Sequence, residues 1–105
     1  MTPGLPGPLV ARAKRWEARA KLDVKAENLN QATDALTQGI SYRQQMIGIH
    51  GGTSPYAAAL ARSLDSLSDI ARRRGDSTAA HDAMSQAKLL REQAHLPVAG
   101  GKQAA

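Results

Sequence analysis

The chain has 105 residues and a formal net charge of +5, from fourteen Lys and Arg against nine Asp and Glu. That length holds one small domain; the absence of Cys excludes a disulfide framework and a thiolate metal site, and no apolar run approaches the roughly 20 residues that cross a bilayer. Aromatics are only Trp16, Tyr42 and Tyr56, so the core must be built from Ala, Leu, Ile and Met, with a thin margin of stability.

In chain order, residues 1–7 are rich in Pro and Gly and read as a flexible lead, not a secretory signal, because no basic segment precedes an apolar one. With no export signal, the cytoplasm is the expected compartment. Four helices follow. The first spans about Pro8 to Ala26, entered through Gly7-Pro8. The second spans about Leu29 to Ile49, with Asn28 as its cap and Gly51-Gly52 as its stop. The third opens at Ser54-Pro55, a capping residue followed by proline, and stops at Gly75, which suits the left-handed conformation. The fourth starts at Asp76-Ser77-Thr78 and ends near His95, before Pro97. Residues 96–105 read as a flexible tail.

Apolar spacing in steps of three and four supports these helices. The stripes are Leu9, Ala13, Trp16, Ala20 and Val24 in the first; Ala32, Leu36, Ile40, Arg43 and Ile47 in the second, with one charged interruption. In the third they are Tyr56, Leu60, Leu64, Leu67 and Ala71; in the fourth Ala80, Met84, Ala87 and Leu90. Strand signals are nearly absent, so the fold class is all-α.

Sliding the chain along itself until Ala32 falls on Ala80 lays the second helix on the fourth. Ala32, Asp34, Ala35 and Gln38 meet Ala80, Asp82, Ala83 and Gln86; Leu36, Thr37 and Gly39 meet Met84, Ser85 and Ala87; Arg43 and Gln45 meet Arg91 and Gln93. The same shift lays the first helix on the third, with Trp16 on Leu64 and Ala20 on Ser68. The expected architecture is a helix–turn–helix unit used twice, residues 8–50 and 54–95, as two stacked antiparallel hairpins.

These residues resemble the tetratricopeptide repeat. In the second unit Leu64, Leu67, Ser68, Ala71, Gly75, Ala80, Met84 and Ala87 fall where that family places large, apolar, small, bulky, turn, small, aromatic and small residues. In the first, Trp16, Ala20, Ala32, Leu36 and Gly39 follow the same scheme. Arg19 departs from it where an apolar residue is expected, Asp23 and Ala71 replace a bulky ring, and Leu36 and Met84 replace an aromatic. The spacing from Ala32 to Ala80 also exceeds the family's usual period of about 34. The resemblance covers roughly residues 9–95, and plain four-helix bundles share much of the pattern.

Chemistry-bearing motifs are missing. His50, His81 and His95 have no helical metal spacing and read as exposed or capping histidines. The Gly48–Ser54 stretch lacks the Lys-Ser/Thr ending of a phosphate loop. No nucleophile motif is present. Asp65 and Asp69, one turn apart, read as surface partners of Arg62, Arg72 and Arg73. Trp16 reads as a core anchor, with an exposed binding anchor as the alternative. No cofactor or metal is expected, and the chain reads as a non-catalytic interaction module or adaptor.

The resemblance implies that the first helix of each unit lines a groove for a peptide or helix of a partner protein. The groove residues would be Lys14, Glu17, Lys21, Arg62, Asp65, Asp69 and Arg73. They do not reproduce the Lys and Asn arrangement that clamps a chain terminus. Two units leave both ends of the stack uncapped, so Met46, Ile47, Ile49, Leu89 and Leu90 are candidates for self-association as a homodimer or for contact with a larger partner. The alternatives are a basic nucleic-acid-binding protein, using the Arg12–Lys25 face and Arg72–Arg74 on phosphates, and a detached segment of a longer repeat protein.

Overall fold

The computed structural model describes residues 7–51 and 54–94, Ser54 by its backbone alone. The lead up to residue 6, the tail, the Ser54 side-chain cap and His95 lie outside the described residues and side chains. Four helices follow one another: α1 (Gly7–Lys25), α2 (Leu29–His50), α3 (Ser54–Arg73) and α4 (Ser77–Gln93). No strand occurs among the described residues, and no described helix is long and apolar enough to cross a membrane.

The helices form two antiparallel hairpins, α1 on α2 and α3 on α4, joined by packing of α2 against α3. Both hairpin turns are closed by the same pair of hydrogen bonds. In the first, the Asn28 N–H donates to the Asp23 carbonyl (2.8 Å) and the Glu27 N–H to that of Val24 (3.0 Å). In the second, the Asp76 N–H donates to Ala71 (2.9 Å) and the Gly75 N–H to Arg72 (3.0 Å). This pattern needs a left-handed residue at its hinge. Gly75 supplies it with φ 79°, as its sequence position implied, and Glu27 supplies it with φ 60°. The Asp76 carboxylate then caps α4 by accepting from the Ala79 N–H at 3.0 Å. Asn28 makes no such side-chain bond, so the cap expected there for α2 is absent. The Gly51 N–H closes α2 on the Ile47 carbonyl at 2.7 Å.

Small side chains let the helices close up. Ala13, Ala32, Ala61 and Ala87 have no exposed surface. Ser68 is equally buried, and its hydroxyl spans the second hairpin to donate to the Ala80 carbonyl at 2.8 Å. At Gly39 a side chain would begin 3.3 Å from the Ala13 carbonyl oxygen and from Glu17 Cγ. A side chain there would sit tightly against α1, so the glycine eases the close approach of α1 and α2. A cluster including Leu36, Ile40, Leu60, Leu64 and Ile70 joins the two units, with Val24, Leu29, Ile47, Leu67 and Leu90 packed on it.

Equivalent positions in the two units differ in burial where one unit has a neighbour and the other has none. Leu36 on α2 is 3% exposed, whereas Met84, its equivalent on α4, is 40% exposed. Ile70 on α3 is 5% exposed, whereas Leu22 on α1 is 63% exposed. The inner faces, α2 and α3, cover each other. Among the described residues, the outer faces on α1 and α4 meet no further helix.

Three expectations need correction. Met46 is 1% exposed and belongs to the core, so it cannot meet a second copy; Ile47 and Leu90 are half-buried against the central cluster. Of the five self-association candidates, only Ile49 and Leu89 are exposed. Trp16 is not a core anchor: its Cβ lies beside Gly39, but the residue is 38% exposed. His50 is neither exposed nor capping. It is half-buried, its ring centroid 5.6 Å from that of Tyr56, and its Nε2 has no hydrogen-bond partner among the described residues.

Candidate binding cleft

A cleft of about 630 Å³ opens between α1 and α3, with α2 behind it. From α1 come Glu17, Ala20, Lys21, Val24 and Lys25; from α3 come Ala59, Arg62, Ser63, Ser66, Asp69, Ile70 and Arg73. Both sets follow from helical geometry. Positions 17, 21 and 24, and positions 62, 66, 69 and 73, recur in steps of three and four and therefore share one face. Leu36 and Arg43 of α2 complete the lining. The apolar floor comprises Ala20, Val24, Leu36, Ala59 and Ile70.

Glu17 and Arg43 brace the cleft. Arg43 donates Nε to Glu17 Oε2 and Nη2 to Oε1, both at 2.9 Å, and Ser63 Oγ donates to Oε2 at 2.7 Å. One carboxylate thus ties α1 to both α2 and α3. Burial opposes its ionisation, but the hydrogen bonds from Arg43 and Ser63 and the charges of Arg43 and Lys21 outweigh that effect. They hold the Glu17 carboxyl below its ordinary value.

Five of the seven residues expected in the groove line it: Glu17, Lys21, Arg62, Asp69 and Arg73. Lys14 is exposed away from the cleft, because residue 14 precedes the stretch of α1 that faces α3. Asp65 is drawn to the other side of α3. Arg91 donates Nη1 to its Oδ1 at 3.2 Å and Nη2 to its Oδ2 at 2.5 Å, binding α3 to α4. Asp65 therefore does not balance the arginines of its own helix. Asp69 does, through Arg72 at 3.1 Å.

The sequence reading missed Lys25, Ser63, Ser66, Arg43 and the apolar floor. Carrying the α1 face on from Lys21 by four residues finds Lys25. Stepping from Arg62 to position 66 instead of 65 keeps the α3 register and leaves Asp65 out. Arg43 was visible only as a charge interrupting an apolar stripe. The interruption marked a guanidinium with a carboxylate to meet.

The charge of the cleft is one-sided. Glu17 is engaged by Arg43 and Ser63, and Asp69 by Arg72. Lys21, Lys25, Arg62 and Arg73 have no ion-pair partner among the described residues. Also among these residues, no group of three or more His, Asp or Glu is placed to hold a metal ion. Comparison with family models, curated proteins and solved structures finds no match for this chain.

Proposed function

We propose that the chain is a non-catalytic protein–protein interaction module of tetratricopeptide-repeat type, and that the α1/α3 cleft holds a peptide or helix of a partner protein. One observation carries this reading: a solvent-open cleft whose floor is apolar, while its rim side chains are charged and available. Apolar surface left at the bottom of a groove is stabilised by an apolar occupant, and the rim fixes its orientation. The duplicated hairpin supports the same reading. The first helix of each unit borders the cleft, as in the repeat family whose pattern of small and large residues the sequence resembles.

The test is selection of binders from a random library of peptides of about four helical turns, followed by a blocking substitution. Ser66 is exposed on the cleft wall and its hydroxyl bonds only within α3, to the Arg62 carbonyl. Ser66→Trp would fill the cleft without entering the core. Selected peptides should bind the parent chain and lose at least about tenfold in affinity for Ser66→Trp. Peptides that bind both proteins equally would place recognition elsewhere and defeat the proposal.

A further inference from the structure

We infer that the occupant of the cleft is an acidic amphipathic helix of about four turns. This rests on the cleft being a protein-binding groove and adds the chemistry of the partner. The charge is the first observation. Lys21 and Lys25 stand on the α1 rim, one turn apart, and Arg62 and Arg73 on the α3 rim, three turns apart. None makes a close ion pair with a carboxylate among the described residues, and both acidic residues of the lining are already bonded to arginines. An occupant therefore meets net positive charge along both walls, and carboxylates at its flanks would complement it.

The floor is the second observation. Ala20, Val24, Leu36, Ala59 and Ile70 present methyl and methylene groups between the charged rims. A phosphate backbone gains nothing there. No aromatic side chain lines the cleft to stack on a base, since Trp16, Tyr42 and Tyr56 all lie outside it. An apolar stripe flanked by acids gains from both surfaces. The α3 wall runs from Ala59 to Arg73, about 21 Å at the rise of an α-helix, and a helix of about fourteen residues spans that length.

The backbone is the third. Both walls are helices whose amide groups bond within themselves, so an extended peptide would find no strand edge to pair with. A helix brings its own backbone hydrogen bonds.

Neither terminal stretch of this chain supplies such a segment, for residues 1–6 and 95–105 contain no Asp or Glu. A second copy carries the same charge of +5 and is repelled at long range.

Binding to the full chain is measured by fluorescence anisotropy with three labelled probes. They are an amphipathic peptide of Leu and Glu at helical spacing, the same peptide with Lys for Glu, and single-stranded oligothymidylate of similar length. The acidic peptide should bind, and Lys21→Glu combined with Arg62→Glu and Arg73→Glu should weaken it by about 30-fold or more. The reversed protein should then prefer the Lys peptide. If the Lys peptide binds the parent protein as well as the acidic one, and Ser66→Trp blocks both, the acidic partner is refuted and the groove stands. If Ser66→Trp leaves the acidic peptide unaffected, the groove itself is refuted. Tighter binding of the oligonucleotide, with affinity falling steeply in salt, overturns the inference in favour of nucleic acid.

Discussion

Glu17 and Asp65 occupy equivalent positions in the two hairpins, and each accepts a forked pair of hydrogen bonds from an arginine 26 residues further along the chain. The arginines, Arg43 and Arg91, are equivalent in turn. Each pair ties the first helix of a hairpin to its second at the same height. The left-handed hinges Glu27 and Gly75 stand in the same relation. Side-chain bracing and turn geometry thus repeat with the period that the apolar residues follow. The guanidinium forks and the left-handed hinges recur in both hairpins, whereas the Asp76 cap and the Ser68 hydroxyl bond belong to the second alone.

If the two guanidinium forks are equivalent braces, Arg43→Ala and Arg91→Ala should cost similar amounts, about 2 kcal/mol each. Both arginines and their carboxylates are largely shielded from water, so each truncation strands a charged acceptor. Lys in either position should recover only part of the loss, because an ammonium cannot fork to both carboxylate oxygens. Urea unfolding at constant slope would show this. A cost below about 0.5 kcal/mol for either variant would reduce that pair to surface decoration.

Acid should weaken the Glu17 brace. The folded protein holds this carboxyl below its ordinary pKa. Its stabilising contribution is therefore complete above the unfolded value, about 4.3, and is lost as pH falls through the lower folded value. Glu17→Gln should be less stable than the parent at neutral pH and should lose less between about pH 6 and pH 3. Parallel stability curves for the two proteins over that window would contradict the brace.

Glu27 offers a direct gain. A side chain in the left-handed region costs about 1 kcal/mol, which Gly75 avoids at the equivalent hinge. Glu27→Gly should raise stability by several tenths to about 1 kcal/mol, and Gly75→Ala should lower it by about 1 kcal/mol. Thermal unfolding of both variants reads the two shifts, which should have opposite signs. A destabilised Glu27→Gly would mean that the Glu27 side chain makes a compensating interaction.

Much of the fold was legible because the helix signals were local. Apolar steps marked four helices, and Gly75 and Asp76 marked one turn through conformation and capping chemistry. Glu27 escaped notice because nothing in its own composition asks for a left-handed backbone. Only its alignment with Gly75 reveals it. Burial was harder to read. Periodicity says which face of a helix points inward, but not whether a neighbour covers it, so Trp16 read as core and Met46 as surface. The cleft was half legible. The charged face of α3 followed from spacing, but the capture of Asp65 by Arg91 depends on a partner 26 residues away.

The ends of the array provide the sharpest test of repeat architecture, because matched residues should carry unequal energies. Leu36 and Met84 occupy the same position in the two hairpins, yet α3 packs against α2 and no helix follows α4 among the described residues. Leu36→Ala should cost about 2–4 kcal/mol, since it opens space in the cluster that joins the units. Met84→Ala removes contacts from a residue already open to water and should cost under about 0.5 kcal/mol. The same logic applies at the other end, where Ile70→Ala should be severe and Leu22→Ala mild. Equal losses within either pair would mean that the outer faces are covered in solution, and sedimentation would then reveal an assembly larger than one chain.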